Sequence, residues 1–321
     1  MKTAEQLMGR ELQLAGNRAL FRGLRRDMEA AGRSPATIAA YNQGCRSLEG
    51  YLIARGHGGD LAAVTREEAA AWLTWLQRPA PKGGGYAKDS VVSYFRSVRR
   101  FYNFLVDDEA IDASPLRKIP EPKESGKPIE VPELDTIRAL IATCKAPKGA
   151  KPGFYDLRDE MIIRLFCETG GPRCNEVASL PLGGLDLGSD TVQICGKGGK
   201  WRTIALSAKT AKSADRYLRA RKTHPYADAD RLVLGQAGPM GPSGIWQMVQ
   251  RRSRAAGIEP VHPHQFRHAA ADRAKAAGMS DGDMKRLFGW SSSAMLDRYG
   301  AVHADRRAVE ASRRLSLGNE L

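Results

Sequence analysis

Histidine, arginine and tyrosine occur at informative spacings near the end of the sequence. His264, Arg267 and His268 follow a proline that suits the first turn of a helix, and their spacing puts all three on one helical face. Tyr299 stands nine residues after Trp290. Imidazole and guanidinium groups can bind a phosphate, and a tyrosine hydroxyl can attack one. Taken alone, each of these residues is more often part of a solvated or packed helix, so the interpretation depends on what precedes them.

Two groups of polar residues precede this face. Arg173 follows two glycines and a proline at the predicted start of a helix, and Glu176 comes one turn later. Residues 191–194 and 201–206 are typical of paired strands. The turn between them has the sequence Gly-Lys-Gly-Gly-Lys, and its first lysine is Lys197. The sequence therefore predicts a basic hairpin tip between two arginine-bearing helices.

In this order and at these separations, the residues resemble the active-site set of the tyrosine recombinase (phage integrase) family in its simple two-domain, Xer/Cre-like form. The resemblance implies an enzyme in which Tyr299 attacks a DNA phosphate, giving a 3′-phosphotyrosine bond and a free 5′-hydroxyl. It makes Arg173 and Arg267 the arginines whose planar forks bind the non-bridging oxygens. It makes Lys197 the general acid for the departing 5′-oxygen.

The resemblance also implies supporting roles. His264 would hydrogen-bond the phosphate and help to move the tyrosine proton. Trp290 stands where the family often has histidine, and it would position and pack, because an indole N–H donates but cannot accept a proton. Glu176 and His268 would support the site, the glutamate by holding a neighbouring cation.

The turn before the first arginine departs from the family pattern. Gly170 stands where a threonine is usual, and Pro172 fills the variable position, which changes how Arg173 approaches a phosphate. The hairpin also offers a second candidate for the acid. Lys200 competes with Lys197, and the glycines that flank Lys197 favour it, because they let the backbone come close to DNA.

The charge of the chain favours a polyanionic partner. Its 321 residues contain 50 Lys and Arg against 36 Asp and Glu, a formal net charge of +14. No apolar run is long enough to span a membrane, and the N-terminal stretch lacks a signal-peptide core, so we expect no membrane and a cytoplasmic, nucleoid-associated location in a bacterial cell. Five scattered cysteines indicate reduced thiols. No metal and no other cofactor is expected.

Hydrophobic periodicity and proline content divide the chain. We expect an N-terminal extension at 1–17, a helical DNA-binding bundle at 18–113, a proline-rich linker at 114–132, a catalytic domain at 133–304, and a tail at 305–321 that docks on a neighbouring protomer. The predicted fold class is mainly α. It combines an N-terminal core-binding (SAM-like) bundle with a mixed α+β, mostly helical catalytic domain that contains a small β-sheet.

Basic side chains mark the expected DNA-binding surfaces. In the bundle they line one face of its last helix, and in the catalytic domain they belong to the hairpin. The residues are Arg96, Arg99 and Arg100 in the bundle and Lys200 and Arg202 in the hairpin.

The sequence thus predicts a site-specific recombinase or integrase, acting in phage or mobile-element integration and excision. Its expected partners are double-stranded DNA with an inverted-repeat core site, three further copies of itself in a homotetramer on that DNA, and accessory DNA-bending or directionality factors. Two alternatives stay open. A type IB topoisomerase-like enzyme uses related chemistry at a single site, and a catalytically inactive DNA-binding regulator would not need the full set of polar residues.

Overall fold

The structure is a computed structural model of the chain. It describes the backbone of residues 4–57, 59–125, 130–293, 295–296, 308–309, 312–313 and 316, and their side chains from residue 16 onward except that of Lys197. Tyr299 and most of the expected tail at 305–321 lie outside the described residues. The chain divides into two compact units, residues 1–127 and residues 128–321.

Four helices build the described part of the N-terminal unit. The hydroxyl of Ser34 accepts the backbone N–H of Thr37 at 3.2 Å and caps the second helix. Thr65 and Glu68 form a capping box at the start of the third helix, so both starts follow local sequence signals. The helices are α1 (Ala4–Ala30), α2 (Pro35–Ala54), α3 (Arg66–Gln77) and α4 (Lys88–Asp107).

Helix α4 supplies the centre of this unit's core. Phe95, Phe101 and Tyr102 are fully buried there, together with Trp72 of α3. The Tyr102 hydroxyl donates to the carbonyl of Leu61 at 3.0 Å, so burying this aromatic ring leaves its polar end satisfied. One side of α4 is therefore committed to the core, and its other side carries Arg96, Arg99 and Arg100.

The first part of the expected linker packs on the N-terminal unit. Leu116 is 2% exposed and belongs to the unit's core. Ser125 donates from its backbone N–H and its hydroxyl to the carboxylate of Asp89, at 2.8 and 2.9 Å. The described part of 114–132 contains no helix or strand, in keeping with its prolines. Its first half nonetheless lies against the bundle.

The C-terminal unit is mostly helical and contains short strands. Its first three helices are α5 (Leu134–Ala142), α6 (Phe154–Cys167) and α7 (Cys174–Ala178). The strands are β1 (Leu185–Asp186), β2 (Thr191–Cys195), β3 (Trp201–Ala205), β4 (Leu234–Gly235) and β5 (Gly238–Pro239). Helix α8 (Ala208–Arg221) follows β3, and α9 (Pro242–Ala255), α10 (Pro263–Ala276) and α11 (Asp281–Phe288) follow β5.

The larger sheet is antiparallel, in the order β1-β2-β3. Val192, Ile194 and Ile204 point into the core, because alternate residues of a strand share a face. The backbone N–H of Gly196 donates to the carbonyl of Lys200 at 2.8 Å and closes the turn between β2 and β3. The predicted hairpin around the Gly-Lys-Gly-Gly-Lys turn is confirmed.

Helices surround this sheet and bury a second core. The rings of Phe166 on α6 and Phe266 on α10 stack with centroids 5.8 Å apart. A smaller cluster joins α10 to α11 through Met284, Phe288 and Trp290. The predicted fold class, mainly α with a small β-sheet, is confirmed. Within the described part of the chain, no helix is both long enough and apolar enough to cross a membrane.

Candidate active site

The start of α7 holds Arg173 by two contacts with one carboxylate. The backbone N–H of Arg173 donates to Oε2 of Glu176 at 2.7 Å, and its Nη1 donates to Oε1 at 2.8 Å. Glu176 is buried, with 5% of its side chain exposed, whereas 31% of the Arg173 side chain is exposed. The local backbone thus fixes an arginine that still reaches solvent.

Arg202 of β3 completes this group, and its position corrects the expectation that it contacts DNA. Its Nη1 and Nη2 donate to the two carboxylate oxygens of Glu176 at 3.1 and 2.7 Å, and its Nε donates to the carbonyl of Leu287 at 2.8 Å. Only 8% of its side chain is exposed. Arg202 points inward because it shares a strand face with Ile204, which is part of the core.

The two cations lower the pKa of the Glu176 carboxyl. Burial raises that pKa, but the hydrogen bonds and charges of Arg202 and Arg173 outweigh the burial, so it falls below its ordinary value. Glu176 is therefore ionised at neutral pH. We call Arg173, Glu176 and Arg202 the Glu176 cluster.

Arg267 of α10 is fully buried against backbone carbonyls. Its Nη1 donates to Gly171 at 2.5 Å and to Gly170 at 3.2 Å, and its Nη2 donates to Phe288. Three carbonyls thus converge on the guanidinium that the resemblance assigns to a non-bridging phosphate oxygen. A phosphate reaches this group only if the residues around it move.

Trp290 packs beside the same guanidinium. Its ring stacks on Phe288 with centroids 4.6 Å apart, and the guanidinium carbon of Arg267 lies 5.4 Å from the Trp290 ring centre and 5.2 Å from that of Phe288. Both distances fall in the range of a cation–π contact. Trp290 is 6% exposed, so its ring serves as packing for Arg267.

The two histidines of α10 have different environments. His264 is exposed, and His268 is 1% exposed. Their rings meet edge to face with centroids 6.3 Å apart. The structure thus brings both histidines and Arg267 together on one helix, with His264 as the member that solvent reaches.

The hairpin and the tyrosine are described only in part. The backbone of Lys197 begins a short turn at Lys197–Gly199, directly after Gly196, and Lys200 is exposed on the other side of that turn. The side chain of Lys197 and the whole of Tyr299 lie outside the described residues. Their predicted roles as acid and nucleophile stay predictions.

The three arginines of α4 are each paired with an acidic residue, and Arg96 and Arg99 are exposed. Arg96 contacts Glu121 at 2.6 Å and Glu124 at 3.1 Å, and Arg99 contacts Glu121 at 2.8 Å. In the same unit, Arg100 pairs with Asp27. Acidic residues of the proline-rich segment thus cover two of the three arginines expected to contact DNA.

No group of three or more histidine, cysteine, aspartate or glutamate residues converges as a metal site in the part of the chain that the structure describes. Among the residues expected to form the active site, two polar groups converge in the described part of the chain, the Glu176 cluster and the surroundings of Arg267. Both meet at the end of α11, where adjacent carbonyls of Leu287 and Phe288 accept from Arg202 and Arg267. The members of this arrangement that solvent reaches, Arg173 and His264, can bind an anion.

Comparison with known proteins decides the family. The Phage integrase family matches residues 133–306, more than half of the chain, and the phage integrase N-terminal SAM-like domain matches residues 24–109. The chain belongs to the phage integrase family. The predicted resemblance to tyrosine recombinases is thereby confirmed.

Curated relatives of this phage integrase family member cover most of its length. Tyrosine recombinase XerD of Xanthomonas axonopodis pv. citri is 28% identical over 305 residues, covering 91% of this chain and 95% of the relative. Tyrosine recombinase XerC of Herpetosiphon aurantiacus is 23% identical over 296 residues, covering 90% and 92%.

Solved structures with the same fold include recombinases bound to DNA. XerH site-specific recombinase bound to palindromic difH substrate superposes with a TM-score of 0.69 at 18% identity, covering 88% of this chain and 81% of XerH. A lambda integrase tetramer bound to a Holliday junction gives a TM-score of 0.65 at 15% identity, covering 88% and 76%. These structures confirm the fold of this integrase family member.

Proposed function

We propose that the protein is a site-specific DNA recombinase that cuts and rejoins strands through a 3′-phosphotyrosine intermediate. The observation that carries the proposal is the convergence at the end of α11. Glu176 accepts hydrogen bonds from both Arg173 and Arg202, and Arg202 also donates to the carbonyl of Leu287. Arg267 donates to the next carbonyl, that of Phe288. Two arginines of the family's active-site set are thereby held in one region of one unit.

The chemistry is a pair of transesterifications. The Tyr299 oxygen attacks the phosphorus, the bond from phosphorus to the 5′-oxygen breaks, and Lys197 gives that oxygen a proton. In the second step, a 5′-hydroxyl from another strand attacks the phosphotyrosine and releases the tyrosine. One phosphodiester bond is made for each one broken, so the reaction requires neither ATP nor another energy source.

The arginines act on charge that grows in the transition state. Arg173 and Arg267 would stabilise the non-bridging oxygens, the contribution that phosphoryl transfer depends on most. His264, the exposed histidine of α10, would donate to the same phosphate. Trp290 would hold the plane of Arg267 through the stacking described above.

The partner is double-stranded DNA with an inverted-repeat core, bound by a homotetramer. The net charge of +14 supports a polyanionic partner. The named complexes support the assembly by analogy, since XerH is bound to palindromic difH and lambda integrase is a tetramer on a Holliday junction. Docking of the tail at 305–321 on a neighbouring protomer, and accessory factors, are part of the same proposal.

Covalent capture tests the proposal. The protein should form a covalent adduct with a nicked suicide substrate that carries the flanking DNA of its own reading frame. Tyr299→Phe should bind that DNA with unchanged affinity and form no adduct. An adduct with Tyr299→Phe would show that another residue is the nucleophile, and no adduct with the unmodified protein would support the regulator alternative. Products joined between two duplexes separate recombination from topoisomerase-like relaxation at one site.

A further inference from the structure

We propose that Arg202 is a positioning residue. It fixes the position of the hairpin turn that bears Lys197 relative to Arg173 and to the end of α11. The inference rests on the proposed function, because it deepens the account of that site. It replaces the expected DNA contact of Arg202 with a role inside the protein.

All three guanidinium nitrogens of Arg202 donate to protein groups. Both carboxylate oxygens of Glu176 accept from it, and its Nε binds the carbonyl of Leu287. The same carboxylate holds the side chain and the backbone of Arg173. One residue of β3 therefore connects α7 to the last turn of α11. A lysine could not make these contacts, because it presents a single charged point and no planar fork.

Two glycines enclose this guanidinium. A Cβ added at Gly196 would lie 3.2 Å from Nη1 of Arg202 and 3.4 Å from Oε1 of Glu176. A Cβ added at Gly289 would lie 3.5 Å from the same Nη1. Gly196 directly precedes Lys197, and Gly289 directly precedes Trp290. The backbone that leads into both residues therefore rests on Arg202.

Burial makes this arrangement rigid. With 8% of Arg202 and 5% of Glu176 exposed, water competes weakly for their hydrogen bonds. Losing one partner of such a pair leaves the other charged and incompletely satisfied. A displaced hairpin would misplace Lys197, and a displacement of about 1 Å can cost on the order of 10²-fold in rate.

A substrate with sulfur at the bridging 5′ position distinguishes positioning of the acid from other losses. A thiolate leaves with little protonation, so this substrate restores cleavage by proteins that lack a working general acid. Arg202→Lys is the main variant, since it keeps the charge, and Arg202→Met is the stronger one. Lys200→Ala is the control, because it removes an exposed cation of the same hairpin, and rescue of this variant alone would make Lys200 the acid and overturn the inference. Lys197→Ala gives the full rescue for comparison.

We expect Arg202→Lys to bind DNA as the unmodified protein does and to cleave oxygen-bridged DNA about 10²-fold more slowly. On the sulfur-bridged substrate it should regain at least about tenfold, as Lys197→Ala should. Lys200→Ala should bind more weakly and show no such rescue. Cleavage by Arg202→Lys at the normal rate, or an equal loss on both substrates, would overturn the inference.

Hydrogen exchange decides the same question without activity. The backbone N–H of Gly196, bonded to the carbonyl of Lys200, should exchange faster in Arg202→Lys, whereas the N–H of Met284 at the start of α11 should not change. Unchanged exchange at Gly196 would overturn the positioning role. If the unmodified protein forms no DNA adduct, the proposed function has failed, and this comparison still decides whether Arg202 holds the hairpin.

Discussion

The carbonyl of Gly171 accepts a hydrogen bond from Nη1 of Arg267 at 2.5 Å, and a Cβ at position 171 would lie 3.0 Å from the Cα of Arg267. The φ angle of Gly171 is +34°, and that of Gly170 is +106°. A Cβ at Gly170 would meet Ile204 at 2.8 Å and the carbonyl of Leu287 at 2.9 Å. Both positions therefore require glycine. This explains why threonine, usual in the family pattern, is absent from position 170.

Gly170→Thr should destabilise the protein and should not improve activity. The backbone angle is unfavourable for a β-branched residue, and the space is closed by backbone and a core side chain, so we expect a loss of about 2–4 kcal/mol. Urea denaturation measures the loss. Gly183→Ala is the control, because a Cβ there meets nothing within 4 Å. Equal stability of the two variants would contradict this account of the turn.

The lowered pKa of Glu176 makes its contribution to stability depend on pH. Since the folded state holds the carboxyl in its charged form, the contribution is fully present above the unfolded pKa of about 4.5 and is lost as pH falls through the lower, folded pKa. Glu176→Gln should cost about 2–4 kcal/mol at pH 7, and the difference from the unmodified protein should shrink below about pH 4.5. Denaturation at a series of pH values tests this. A difference that does not change with acid would show that Glu176 stabilises by shape alone.

Glu121 and Glu124 should weaken DNA binding. They occupy Arg96 and Arg99, which a DNA phosphate would otherwise meet, so the double variant Glu121→Gln with Glu124→Gln should bind more tightly. If both arginines then contact phosphates, the slope of log affinity against log salt should steepen by up to about 2.

The control for that experiment removes the same charge elsewhere. Asp135→Asn with Asp215→Asn loses two exposed carboxylates that pair with arginines of their own helices. It should change affinity through net charge without steepening the salt slope. If both double variants behave alike, the proline-rich segment does not cover a DNA-binding surface.

Arg267→Lys should lose stability as well as cleavage. A lysine cannot reach the carbonyls of Gly171 and Phe288 together or stack flat against Trp290, so a buried acceptor is left without its donor. We expect a cost of about 2–4 kcal/mol, measured by urea denaturation. Arg254→Lys changes an exposed arginine of α9 and is the control. A variant no less stable than this control would mean that the carbonyl contacts contribute little.

Local patterns were enough to predict most of the elements. The proline and spacing around His264 predict α10, and the turn glycines predict the β2–β3 hairpin, because both signals lie within a few residues. The family's active-site residues could also be recognised, because polar residues of the expected types occur in the family order along the sequence. The burial of Arg267 could not be predicted from the sequence, because its acceptors at Gly170 and Phe288 belong to distant segments.

Arg202 shows why a basic motif misleads. Lysines and glycines around it predict a solvated tip, yet it alternates with Trp201, which is 58% exposed, and shares its inward face with Ile204. Applying the two-residue period of a strand would have found this. Its partner Glu176 lies 26 residues away, and no residue near Arg202 in the sequence indicates that these two meet. The packing of Leu116 likewise depends on a core that no single segment defines.

The Glu176 cluster limits how this chain can vary. Two arginines share one carboxylate, so a substitution at any one of the three positions changes what the other two require. A single substitution in the cluster should therefore be harmful, whereas a matched pair of substitutions that keeps its charges balanced should be tolerated. Such non-additive effects are epistasis. In a library randomised at 173, 176 and 202, functional variants should be found as combinations, and position 196, where a Cβ would lie 3.2 Å from Arg202, should stay glycine while Arg202 remains.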